Sequence, residues 1–189
     1  MGQVWLFFQE GFFHIVSLDS IDHLFFLLAL VAIYTIKDWR KLLIMATAFT
    51  IAHAIALLIT IFNLVTIANN VIEWLIALTI FYTCIANLFL QHFQNAKIYI
   101  IGIFGLIHGI GFSQVLRTLF TGMNYNPWQT LLPFNVGVEL GQLLVLSLFV
   151  LLIALIGKLK FMTPKKINQL ISIPVATLAF FWMIQRNIF

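Results

Sequence analysis

The chain has 189 residues, of which 62% are hydrophobic and 8% charged, with a formal net charge of +4. A soluble domain carries about 25% charged residues, and a globule of this length has too much surface to hide so much apolar side chain. A soluble fold is therefore excluded, and the basic excess, which lies in short clusters between apolar runs, points to membrane loops and not to nucleic acid.

By the length a bilayer demands, about 20 mostly apolar residues, the chain reads as an all-α polytopic membrane bundle of about six transmembrane helices. The expected spans are 20–36, 42–62, 71–90, 98–118, 129–157 and 167–185, in a single transmembrane domain covering 1–189. Residues 3–16 are apolar and aromatic but too short to span. They read as an interfacial or re-entrant segment, or as an extension of the first span into one long tilted helix. No basic leader region or small-residue cleavage site is visible at the N-terminus, so no cleaved signal peptide is expected.

The breaks between spans are Lys37 to Lys41, Asn69-Asn70, Gln91 to Lys97, Gly122 to Trp128 and Lys158 to Lys166. Pro174 falls inside the sixth span and is expected to kink it. Eight basic residues, Lys37, Arg40, Lys41, Lys97, Lys158, Lys160, Lys165 and Lys166, sit in alternate loops, against Arg117 and Arg186 on the other side. The positive-inside rule then puts the first set in the cytoplasm of a bacterium and both termini outside it, with the chain in the inner membrane.

This topology sets the depth of the polar groups. Asp22, His23 and Glu73 fall near the outer ends of their spans, and Glu139 in an outer half with Asn135 one turn above it. His53 and His108, about 10–11 residues from their inner ends, fall near mid-membrane. Five spans thus deliver ionisable groups to one region. Asn135, Glu139 and Gln142 share a helix face, as do Thr50, His53, Leu57 and Thr60. Gly137 and Gly141 form a small-xxx-small pair suited to close helix contact.

Acids and imidazoles are costly in hydrocarbon, and a divalent cation offsets that cost while keeping imidazoles neutral and carboxylates ionised. The sequence therefore predicts metal-handling residues His14, Asp22, His23, His53, Glu73, His108 and Glu139, supported by Asn135 and Gln142. Simpler readings stand beside this one. Asp22, Asp19 or Ser20 caps a helix start, Glu73 sits in headgroup water, and the intramembrane histidines hydrogen-bond to neighbouring helices. His92 reads as a surface loop residue. Cys84, a lone cysteine, excludes an internal disulfide and a cysteine-based zinc site.

The segments Gly11-Phe12-Phe13-His14, Asp22-His23-Leu24-Phe25-Phe26, Phe49-Thr50-Ile51-Ala52-His53, Val71-Ile72-Glu73, Gly105-Leu106-Ile107-His108-Gly109-Ile110-Gly111-Phe112 and Phe134-Asn135-Val136-Gly137-Val138-Glu139-Leu140-Gly141-Gln142 resemble, in order, the HupE/UreJ family of small bacterial membrane proteins. The chain departs from that pattern at Ser20-Ile21, where many members have a glycine. The resemblance implies a nickel or cobalt permease, a family associated with hydrogenase and urease operons, and marks the seven residues above as metal-handling.

Three functions follow for test. The first is a permease for nickel, cobalt or zinc, the metals that imidazole and carboxylate ligands suit. In it His14 and Asp19 gather the ion and Asp22, His23, Glu73, His108 and Glu139 hold it. The inner half of span five is nearly all apolar, leaving Thr47, Cys84, Asn87 and Tyr99 as inner polar groups. That objection motivates the second, an intramembrane metal-dependent hydrolase acting on a lipid or membrane peptide, with Glu73 or Glu139 as general base. The third is a helical subunit whose polar groups join helices. Membrane lipid and a metal ion are the expected partners, with a second copy or another membrane protein left open.

Overall fold

The computed structural model describes residues 2–65, 67–90, 97–120 and 126–186, excluding the side chains of 114, 115, 117–120 and 127. His92, the Arg117 side chain and the loop from Gly122 to Asn124 lie outside the described residues. The chain is all helical: α1 (Gln3–Val16), α2 (Ile21–Val31), α3 (Trp39–Ile61), α4 (Asn69–Phe89), α5 (Lys97–Phe120), α6 (Pro127–Ile156) and α7 (Pro164–Gln185). The segments Ile36–Ile61, Asn69–Phe89, Trp128–Ile156 and Pro164–Gln185 are long and apolar enough to cross a membrane. α5 adds the apolar stretch Lys97–Ser113, and α1 and α2 pass the same test together as one span bent by 58°. The bundle is thus a helical membrane fold whose first crossing element is broken.

Local chemistry sets the ends. Asn126 accepts a hydrogen bond from the Trp128 amide ahead of α6, and Thr163 one from the Lys166 amide ahead of α7, each followed by a proline at the first helical position. α3 ends where Asn63 takes the left-handed conformation, φ 57°, which asparagine tolerates better than most residues. Between α1 and α2, Ser17 is extended and its hydroxyl accepts from the Asp19 amide, so the helical ladder stops and restarts in a 3-10 turn at Leu18–Ser20.

Two pairs of helices meet at bare backbone. A methyl on Gly11 would collide with the Phe134 carbonyl, and one on Gly137 with the Phe8 carbonyl. Along this seam Gly11 meets Phe134 and Ile15 meets Gly141, so α1 and α6 run in the same direction. α3 and α5 are likewise parallel, with Gly105 against Phe49 and Gly109 against the His53 carbonyl, 2.6 Å from a methyl placed there. The N-terminal segment, expected as an interfacial or re-entrant helix or as part of one long tilted helix, is a separate helix bent away from α2 by 58° that lies along α6 with Phe7, Gly11 and Ile15 buried. Small residues permit such close approach where no hydrophobic drive exists between helices in lipid.

Between these pairs lies a core of Phe26, Phe49, Leu57, Ile80, Leu116 and Phe134. The helix directions bring the Lys37–Lys41 turn, Lys97 and the Lys158–Lys166 turn to one end of the bundle: Lys97 stacks over Tyr34, and Asn168 at the start of α7 bonds Asn87 at the end of α4. We call this the basic end.

Candidate metal centre

The helix break builds the centre. His14 lies in the last turn of α1, where unpaired carbonyls give a negative dipole end that favours a cation. His23 lies in the first turn of α2. The break between them turns the two rings together, with centroids 4.6 Å apart. From α3, His53 comes to 5.9 Å from His14. Among the described residues, His14, His23 and His53 form a group whose ligand nitrogens all lie within 4.8 Å of one another. Metal–imidazole bonds of about 2.0–2.1 Å put the ligand nitrogens about 3–3.4 Å apart, so the group would draw together by up to about 1.5 Å around an ion.

His53 and His108 are fully buried and His23 nearly so. Around them stands an aromatic wall. Phe112 is 3.8 Å from His14, Phe134 is 5.9 Å from His14 and 6.3 Å from His53, and Phe49 is 6.2 Å from His53. Such a wall excludes water and lowers the local dielectric, strengthening whatever polar interaction forms inside.

His108, on α5, stands one layer back. Its Nδ1 is 3.4 Å from His23 Nε2 and its Nε2 is 3.0 Å from Thr79 Oγ1. The Thr79 hydroxyl proton goes to the Ile76 carbonyl at 2.7 Å. His108 Nε2 must then be the N–H that donates to Thr79, and its Nδ1 accepts from His23 Nε2. His23 keeps the lone pair of Nδ1 free. A ring whose tautomer is fixed by an outer neighbour is how proteins present a metal-ready imidazole.

Two of the three grouped rings also carry poorly satisfied atoms. His14 Nε2 and both nitrogens of His53 are buried without a hydrogen bond of good geometry, with the Asn135 side chain lying against His53. His14 Nδ1 has a polar neighbour, Ser20 Oγ at 3.4 Å. An unpaired buried polar atom costs about 1–3 kcal/mol, a cost that a bound cation would remove.

The carboxylates are placed otherwise. Asp22 accepts from both terminal nitrogens of Arg186, at 3.1 and 3.3 Å. Glu73 lies 4.0 Å from the same guanidinium, with its side chain 58% exposed, and its carbonyl accepts from Arg186 at 3.1 Å. Glu139 Oε1 accepts from Thr47 at 2.7 Å while its Oε2 is buried and unpaired. Beside it, Asn135 donates to the Leu131 carbonyl and leaves Oδ1 unpaired, and Gln142 accepts from Thr50. The structure thus gathers His14, His23 and His53, puts His108 against His23, and sets Asp22 with Glu73 and Glu139 in two separate surroundings. Sequence reasoning did not pair Arg186 with Asp22, 164 residues away. The available signal was that Arg186 ends the last span on the side where Asp22 and Glu73 begin theirs. Thr79 carried no signal of its own, and Ser20 and Phe112 none that placed them beside His14.

The protein family described as HupE / UreJ protein matches the chain over residues 1–186. No curated protein and no solved structure gives a match.

Proposed function

We propose that this chain, which belongs to the HupE / UreJ family, is a permease for a divalent transition-metal cation of the nickel or cobalt kind. The observation that carries the reading is the set of three imidazoles from three helices, with His14 Nε2 and both His53 nitrogens buried and unbonded. Neutral imidazole suits nickel, cobalt and zinc and rejects magnesium and calcium, which take oxygen ligands. His14, His23 and His53 hold the ion, and His108 orients His23. Asp22, Glu73 and Arg186 stand at the end opposite the basic loops. With the basic end in the cytoplasm of a bacterial inner membrane, that end faces outward and both termini are non-cytoplasmic. The carboxylates there are kept from lipid by Arg186 and attract a dication from outside.

An intramembrane hydrolase would need a general base beside a metal-bound water. Glu73 is engaged with Arg186 and Glu139 with Thr47, and neither joins the imidazole group among the described residues. This supports transport over hydrolysis.

The test is uptake of nickel, cobalt and zinc into proteoliposomes of purified protein. Saturable flux of at least one, abolished in His53→Ala, is the expected result. Metal bound to the protein with no flux of any of the three would overturn the reading.

A further inference from the structure

The apolar inner half of α6 poses a question for any permease: where an ion goes after the histidines. The unpaired buried atoms answer it. Among the described residues they are His14 Nε2, His53 Nδ1 and Nε2, Asn135 Oδ1 and Glu139 Oε2. All lie on α1, α3 or α6; Asn135 lies against His53, and Glu139 leads away from the imidazoles along α6. Glu139 follows Asn135 by one turn, about 6 Å along α6. Thr47, which holds Glu139, precedes His53 on α3 by about 9 Å. Both displacements run toward the basic end, where α3 begins and α6 finishes.

We propose that the Glu139 carboxylate forms a second cation station beyond the histidine centre, with Asn135 between it and His53, on the α3–α6 seam toward the basic end. This rests on the permease reading above. The station is built and not incidental. Asn135 is 8% exposed, and its amide orientation is set because Nδ2 donates to the Leu131 carbonyl at 2.7 Å, leaving Oδ1 toward His53 and linking the two stations. Glu139 is fixed through one oxygen by Thr47 at 2.7 Å, and the other is left over. Thr50 donates to Gln142 at 3.2 Å, one turn beyond on α6, and holds the two helices together there.

The chemistry of the two stations differs in a useful way. The first offers imidazole nitrogens, which hold borderline cations firmly. The second offers only oxygens, which hold such cations less tightly, while one carboxylate neutralises half the charge of a dication in a low-dielectric seam. A chain of sites that loosens along its length lets an ion enter and also leave, as conduction requires.

The experiment separates binding from flux, with nickel as probe. Purified Glu139→Gln protein should bind nickel with the wild-type affinity and stoichiometry of the histidine centre, which also shows that it is folded. Its initial uptake into proteoliposomes should fall by at least about tenfold, the order lost when a group supporting a metal is removed. Glu139→Asp, which keeps the charge, should transport faster than Glu139→Gln. Wild-type uptake in Glu139→Gln would overturn the second station alone. Loss of nickel binding together with uptake would overturn its separateness, because Glu139 would then belong to the histidine centre. Wild-type protein that binds nickel and moves none would overturn the permease reading and this step with it.

Discussion

Two seams of the bundle treat their buried polar groups in opposite ways. On the α2–α4–α7 side the polar groups described above, apart from His23 of the histidine group, are answered. Asp22 takes both arms of Arg186, Asn87 donates to the Ala29 carbonyl at 2.7 Å, Asn168 donates to the Asn87 carbonyl at 2.8 Å, and Ser172 donates to Asn168 at 2.8 Å. On the α1–α3–α6 side the chain leaves imidazole nitrogens, an amide oxygen and a carboxylate oxygen unanswered. A fold that can pair polar groups so fully along one seam has the means to do so along the other. The difference teaches that the first seam is for holding helices together and the second for receiving something from outside the chain.

The largest effect that would break this comparison lies on the unanswered seam. His53→Ala or His14→Ala should weaken nickel or cobalt binding by more than about 100-fold, beyond the loss seen for outer-layer partners. The His53 change should also lower the unfolding midpoint, because a fully buried ring beside Asn135 is replaced by a methyl and leaves a cavity, but binding should fall by far more than stability. Equilibrium binding and a thermal melt on the same sample check both halves. A fall in stability with binding intact would make these histidines structural glue.

Next in size is the contact that places His14. Gly11→Val puts side chain into the Phe134 backbone, and overpacking of this kind costs about 1–3 kcal/mol. Denaturation in mixed micelles should show that loss, and metal binding should weaken with it because α1 is displaced. Unchanged stability would mean that α1 is not seated on α6.

On the answered seam, Asp22→Asn should reverse the pattern of His53→Ala. The pair is 19% and 21% exposed, between the surface and buried limits, so a loss of about 1–2 kcal/mol is expected, with metal affinity changed much less than by His53→Ala. The Asp22→Asn, Arg186→Gln double variant should cost little more than Asp22→Asn, since the partners share one interaction. Additive losses would show that Arg186 earns its place elsewhere.

The smallest effect is at the basic end. Lys41, 62% exposed, bonds Asp38 at 3.0 Å, and Lys41→Ala should cost less than about 1 kcal/mol. The Lys41 hydrogen bond, with help from Thr35, holds the Asp38 carboxyl below its usual range. Because the folded carboxyl is the more acidic, its small contribution is present at neutral pH and is lost as pH falls through and below the ordinary carboxylate range. An acid titration of wild type against Lys41→Ala should show the two stabilities converging at low pH.

Much of this was legible in the chain. Apolar length and the basic clusters announced the membrane helices. The stripe Thr50, His53, Leu57, Thr60 read from periodicity is buried at all four positions. Gly137 and Gly141 advertised a close contact, but a small residue does not name its partner, and only the fold shows α1 lying there. The break at Ser17–Ser20 was hidden because serine and aspartate next to a helix start read as caps, whereas Ser20 makes no side-chain cap bond to α2 and it is Ser17 that caps the 3-10 turn. The pairing of Asp22 with Arg186 was hidden for a different reason: it joins the first and last helices, and no local pattern carries a contact so far apart in sequence. Glu139 was read as one member of a common site because it shares a depth range with the histidines. Helix periodicity gives a face and a depth but not which neighbour that face meets, and here it meets Thr47.

The central claim is that His14, His23 and His53 together hold a transition metal. X-ray absorption at the metal edge, on purified protein loaded with one equivalent of nickel or cobalt in detergent, tests it directly. The account predicts an imidazole-rich shell with nitrogen at about 2.0–2.1 Å, lost in His53→Ala and weakening as pH falls, since the rings must be neutral to bind. An oxygen-only shell, or an imidazole shell unchanged in His53→Ala, would contradict it.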